Sequence, residues 1–274
     1  MKLFKLTFAS ISAFFVALSA NADSITVVSW GGAYTKSQVE AYHKPWSKET
    51  GHQVVSEDYS GGLAEVKAQV ESGNVTWDVV DVELSDALQG CDEGILEEID
   101  HSTLPAAPDG SPATQDFLPG ALQDCAVGNI VWSTLYAYDK TKFDTPPTTM
   151  ADFFDIEKFP GKRGMRKLGK AMLEMALMGD GVPAADVYDL LGTEEGVKRA
   201  FAKLDTIKDH VVWWEAGAQP PQLLADGEVS MTITWNGRIF NAIAQEKQPF
   251  GLVWDGQIYD LDLFVIPKGS KNKE

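Results

Sequence analysis

The chain has 274 residues, 44% of them hydrophobic and 23% charged, which suits one large or two medium globular domains and excludes a disordered polymer. Asp and Glu number 40 against 23 Lys and Arg, a formal net charge of −17 at pH 7. Such a surface repels nucleic acid and anionic membranes, so neither is an expected partner; it tolerates cationic ligands, although a solubilising role accounts for most of the charge.

The N-terminus reads MKLFKLTFASISAFFVALSANA, with Lys2 and Lys5, an apolar run through Leu18, and Ala20-Asn21-Ala22 as an A-x-A cleavage site. This pattern predicts a secretory signal over residues 1–22, cut after Ala22, and hence an exported, periplasmic protein. The run is short and broken by serines for a membrane anchor, and no cysteine stands at the cleavage site to carry lipid. In an oxidising compartment Cys91 and Cys125 are expected to form a disulfide rather than two buried thiols, worth ~4 kcal/mol in the chain-entropy model.

SITVVSW (24–30) predicts a strand, and TKSQVEAYHKPWSKETG (35–51) an amphipathic helix with Val39, Tyr42 and Trp46 on one face, Pro45 as a kink or end, and Gly51 as a stop. HQVVSEDYS is a second strand, GGLAEVKAQVESGN a short helix, WDVVDVE a third strand and LSDALQGCDEG a helix. This β-α-β-α-β order predicts a parallel sheet with helices on both faces. Residues 101–120, rich in Pro, Ser and Asp, should be irregular, and NIVWSTLYAYD extended. Thr149 is placed to cap a helix over MADFFD, and PGKRGMRKLGK (160–170) reads as a basic loop leading into a helix over LGKAMLEMALMGDG. TEEGVKRAFAKLDTIKDH is a further helix, with a capping-box start at Thr193. VVWWEAG is extended, PPQLLADGE a short helix, and VSMTITWNGR a strand ending in a Trp-Asn-Gly turn. IFNAIAQEKQ is helical, and FGLVW and YDLDLFVIP are two strands. Two α/β units result, one before about Tyr136 and one after. The ending IPKGSKNKE places Ser270 like a helix cap, and the expectation is a fragment whose next helix is missing.

WGGAYTKS has neither P-loop nor G-x-G-x-x-G spacing. What remains is a backbone-lined turn at the carboxyl end of the first strand, where open α/β sheets bind ligands. No G-x-S-x-G or H-E-x-x-H occurs, and His43, His52, His101 and His210 lack ligand spacing, so no catalytic residue, metal or cofactor is expected. Trp30, Tyr34, Trp214, Trp235 and Tyr259 fall near strand ends, with Glu83 and Asp262 nearby in the pattern. Each aromatic alone could equally be core, and Glu83 a solvated loop carboxylate. Together an aromatic wall and a carboxylate suit an amine, each ring contributing ~0.5–2 kcal/mol. Arg166, Lys167, Lys170 and Arg238 would favour an anionic or zwitterionic group if they face a cleft.

The segments SWGGAY, KETGHQV, WDVV, GEVSMTITWNGR and DLDLFVIPKGSKNKE, in this order, resemble the periplasmic spermidine/putrescine-binding proteins of ABC importers through nearly the whole mature chain. The resemblance implies a type II periplasmic binding-protein fold: two α/β lobes, 23–135 and 136–255, with 256–274 returning to the first lobe and a ligand cleft between them. It implies a monomer that closes on a small amine, performs no chemistry, and delivers its load to an inner-membrane permease. By position, Trp30, Tyr34, Trp235 and Asp262 match the family's ligand contacts. Two departures stand out: Asp260 replaces an expected aromatic, and Lys167, Leu168 and Ala171 replace expected acids. Lys167 would oppose a diamine's second nitrogen. A polyamine is the leading expectation, a zwitterionic or anionic ligand the alternative, and a secreted α/β enzyme a third reading.

Overall fold

The computed structural model describes residues 24–273; the expected signal segment lies outside them. Among the described residues nine strands form one sheet: β1 (Ser24–Ser29), β2 (Gln53–Asp58), β3 (Val79–Glu83), β4 (Leu122–Gln123), β5 (Ala126–Asp139), β6 (Arg163–Arg166), β7 (Val211–Trp214), β8 (Met231–Trp235) and β9 (Phe250–Val265). Their order is β2-β1-β3-β9-β5-β8-β6-β7, with β4 paired to β5 off this path. The β1 strand is parallel to β2 and β3, and β6 is parallel to β7 and β8, as strand-helix-strand crossovers require. Between these two parallel blocks run β5 and β9, antiparallel to each other. These two long strands are the crossings between the α/β lobes.

Period-two alternation builds the cores. In β3 and β9, Val80, Val82, Leu261, Leu263 and Val265 point into one cluster with Val28 and Trp77. Further along β5, Tyr136 and Tyr138 enter a core with Phe153, Met165 and Met175, while Leu135 and Ala137 enter another with Leu224, Ile239 and Phe250. The second lobe is thus covered on both faces. Cys91 and Cys125 are bonded across a separation of 34 residues, with Cα atoms 5.7 Å apart. The bond ties the helix Leu84–Asp92 to the residue preceding β5.

Three expectations need correction. FGLVW and YDLDLFVIP belong to a single 16-residue strand, β9, interrupted by a bulge: Thr134 pairs with Ile258, but Tyr136 pairs with Val253. Gly256 sits in the bulge at φ 68°, and Asp255 Oδ2 accepts a 2.7 Å bond from Met150 N. The basic segment 160–170 is not a solvated loop throughout, because β6 lies within it and is buried along its length. Its Arg163 is held by carbonyls rather than water: Nε donates to Phe153 O at 2.6 Å and Nη2 to Phe159 O at 2.6 Å. The helical stretch after β1 runs through Gly32–Gln38, a π-turn at Val39–His43, and Lys44–Thr50. Tyr42 and Trp46 are exposed, and Thr35, Gln38 and His43 are buried instead. The wider π-turn rotates the following residues away from the regular 3.6-residue face.

Candidate ligand-binding site

The same alternation that buries Val80 and Val82 sends Asp81 and Glu83 to the opposite face of the sheet, and in β9 it sends Asp260 and Asp262 there too. Glu83 and Asp262 are direct cross-strand partners. Like charges in that position repel, so the arrangement calls for cations. Arg166, at the end of β6 in the other lobe, supplies one: its Nη1 lies 2.8 Å from Glu83 Oε1. Lys170 Nζ bonds the other Glu83 oxygen and lies 3.1 Å from Asp86 Oδ1. Burial pushes the Glu83 carboxyl up, but Arg166 and Lys170 more than offset this and hold it below the ordinary range.

Asp262 makes no ion pair among the described residues. Its Oδ1 accepts a 2.8 Å bond from Trp132 Nε1. Burial, then the charge of Asp81, raise its pKa far above the ordinary carboxylate range. Asp81 lies behind it, accepting from Ser29 Oγ, Gln38 Nε2 and Asn129 Nδ2. Burial raises its pKa as well. Asn129 also donates to the Tyr34 hydroxyl at 2.8 Å, which fixes Tyr34 above this buried acid. Tyr34 is pushed up by burial and by Asp81.

Aromatic rings frame the charges. The Arg166 guanidinium lies 5.1 Å from the Trp235 ring and 5.8 Å from that of Trp30, within cation–π range of both. Trp235 also makes edge contacts with Trp30, Trp132 and Trp214, each at 5.6 Å between ring centroids. The glycine turn after β1 meets the other lobe through Arg238, which donates to Gly31 O at 2.7 Å and Trp30 O at 2.6 Å. Gly31 and Gly32 hold φ of 73° and 59°, and a Cβ on Gly32 would stand 2.6 Å from Arg238 Nη1. Glycine therefore serves an approach between lobes rather than a phosphate.

Two cavities flank this centre. One, of about 310 Å³, is lined by Trp30, Tyr34, Trp132, Trp235, Arg238 and Asp262. The other, of about 240 Å³, is lined by Arg166, Lys170, Glu174, Trp214, Tyr259 and Asp260. Glu83, Trp132 and Trp235 border both. Of the residues singled out in the sequence, Trp30, Tyr34, Glu83, Trp235, Asp262 and Arg238 line the first cavity, and Glu83, Arg166, Lys170, Trp214, Trp235, Tyr259 and Asp260 the second. Lys167 lines neither, and this corrects the expectation placed on it: its Nζ pairs with Glu215 at 3.3 Å, with both side chains 68% exposed. The chain leaves β6 at Arg166, so the strand's last inward side chain is Arg166 and the next residue turns to solvent. Trp132, Asp81 and Glu174 were not anticipated. Trp132 sits on an extended segment whose role as a lobe crossing gave the only clue. No group of side chains suited to a metal ion occurs among the described residues, and no helix among them is long and apolar enough to cross a membrane.

A two-lobed α/β molecule with aromatic and charged side chains of both lobes meeting in a cleft is a solute-binding protein. The chain belongs to the bacterial extracellular solute-binding proteins, whose family pattern matches residues 39–274. It is 48% identical, over 95% of its length and 72% of the relative's, to a gamma-aminobutyric acid-binding protein of Pseudomonas aeruginosa. Its structure is similar to that of the binding protein MotA of A. tumefaciens B6 in complex with glucopine, with a TM-score of 0.84 and 37% identity over 91% of this chain and 75% of that one. A GABA receptor, Atu4243, matches with a TM-score of 0.77 and 36% identity over 92% and 74% of the two chains. A spermidine/putrescine-binding periplasmic protein of Haemophilus influenzae is 23% identical over 94% of this chain and 69% of its own. The resemblance to polyamine binders is therefore a distant one.

Proposed function

We propose that this chain is the periplasmic solute-binding component of an ABC importer, and that its ligand is a small zwitterion of the 4-aminobutanoate (GABA) class rather than a polyamine. The lobes, 23–135 and 136–255 with 256–274 returning to the first, close on the ligand, and the closed form is read by a membrane permease. The observation that carries this reading is the mixed charge of the cleft. Arg166, Lys170 and Arg238 stand there among Glu83, Asp260 and Asp262. A diamine would bring its second nitrogen against these cations, whereas a carboxylate would be received by them. The relatives that bind GABA support the same class.

A thermal-shift series tests the reading. Added 4-aminobutanoate should raise Tm in a saturable way, by an amount corresponding to ~2.7 kcal/mol at a hundredfold excess over Kd. Putrescine and butanoate, each carrying one kind of charge, should do little. A saturable shift with putrescine and none with 4-aminobutanoate would return the protein to the polyamine class. The pair of adjoining cavities favours a second reading, a larger ligand such as the glucopine bound by the relative MotA. Including glucopine in the series decides between the two.

A further inference from the structure

The charge at the centre of the cleft is an ion-paired cluster that spans it, Glu83 with Arg166 and Lys170. Glu83 belongs to β3 of the first lobe and Arg166 to β6 of the second, and they meet at 2.8 Å with side chains 2% and 9% exposed. Arg166 lies between two tryptophans, and Glu83 stands beside Asp262 on the neighbouring strand. We propose that this pair is the template for the ligand: a zwitterion inserts between Glu83 and Arg166, presenting its carboxylate to Arg166 and Lys170 and its ammonium to Glu83 and Asp262. The second lobe then reads the acid end and the first lobe the amine end. This rests on the zwitterion reading above and adds the orientation and the residues that enforce it.

The argument is one of charge balance. Opening a buried ion pair leaves two charges to be matched, and removing one partner leaves the other buried without compensation. A zwitterion replaces one pair by two, with no change in net charge. A diamine satisfies Glu83 but leaves Arg166 facing a second cation, and a dicarboxylate satisfies Arg166 but repels Glu83. The surroundings are graded in the same sense. Lys170 is the second cation on Glu83 and remains with Arg166 when Glu83 is displaced. Asp262, which makes no ion pair among the described residues, lines the first cavity beside Glu83. Because each end of the ligand is held by a different lobe, the inserted molecule also ties the lobes together, in addition to the bonds from Arg238 to Trp30 and Gly31.

The experiment is calorimetric titration of the protein, Arg166→Gln and Glu83→Gln with 4-aminobutanoate, putrescine and glutarate. Circular dichroism and Tm confirm folding. Each substitution should weaken 4-aminobutanoate by ~30-fold or more, as expected for truncating one partner of a buried charge pair. Arg166→Gln should shift the ratio of affinities towards putrescine and Glu83→Gln towards glutarate, each by ~10-fold or more. If Arg166→Gln fails to fold, Lys170→Gln replaces it and should shift the ratio towards putrescine; if Glu83→Gln fails to fold, Asp262→Asn replaces it and should shift the ratio towards glutarate. Wild-type binding of 4-aminobutanoate with ratios unchanged in the variants overturns the template and leaves the proposed function standing. Failure of the wild-type protein to bind any amino-acid ligand overturns both.

Discussion

Single residues in this molecule are specified by phase along a strand more than by residue type. Arg166 and Lys167 are adjacent cations, yet one is buried in the cleft and the other pairs with Glu215 at the surface. Residue chemistry alone marks both as candidates, and only the strand boundary decides which one turns inward. Arg163, three residues earlier, shows the other use of a buried cation. It is fully buried, pushed down by burial to about 10, and its donors also reach Gly161 O at 2.8 Å and Ser230 Oγ at 3.2 Å. Arg163→Met should lower stability by ~3 kcal/mol or more, since each orphaned buried carbonyl costs ~1–3 kcal/mol; urea denaturation midpoints measure this, and an unchanged midpoint would contradict it. Titration has a defined sign at the site. Glu83 is depressed, so the stability from its pairs is present above its unfolded pKa and is lost as pH falls through the folded value. Asp262 and Asp81 are raised, so their stabilising protonated forms are lost as pH rises through the folded values. An ammonium placed beside Asp262 draws its pKa down, so binding should release protons and tighten as pH rises above the ordinary carboxylate range. Calorimetry in two buffers of different ionisation enthalpy reads this, and equal heats in both would contradict it.

Elements were legible where their signals are local. The glycine turn after SITVVSW, the Thr149 cap and the WNG strand end all carry short-range chemistry. Thr149 makes the full reciprocal box with Asp152, whereas Thr193 bonds only the Gly196 amide, because glycine at that position has no side chain to return the bond. What propensity could not show was β6, where glycine and two arginines look solvated but are buried through their hydrogen bonds. Nor could it show that the two final strands are one, joined through a bulge. That bulge offers a test at its own scale. Gly256 has φ 68°, and a Cβ there would lie 2.9 Å from Met150 Cβ. Gly256→Val should cost ~1–3 kcal/mol through left-handed strain and this clash, visible as a lower Tm. Retention of the wild-type Tm would show that the bulge relaxes freely.

At the scale of the whole molecule, alternating strand and helix signals are enough to imply a doubly covered parallel sheet, and the extended run through Trp132 is enough to imply a connection. The pairing of β5 with β9 is set by contacts more than a hundred residues apart in the chain, as in the Trp132–Asp262 bond, and no local pattern encodes it. That pairing places both lobes on one continuous sheet and brings the ends of β1, β3, β6 and β8 to a common cleft. The proposed ligand class is half legible: aromatic and acidic strand ends indicate an amine, and the basic segment indicates a second, opposite charge without showing which residue carries it.

Four tryptophans, Trp30, Trp132, Trp214 and Trp235, line the cleft, so the molecule reports its own occupancy. The most direct measurement is a titration of intrinsic tryptophan fluorescence with 4-aminobutanoate in competition with putrescine. The zwitterion reading predicts a saturable change with 4-aminobutanoate that excess putrescine leaves in place. A saturable response to putrescine that 4-aminobutanoate cannot displace would contradict it.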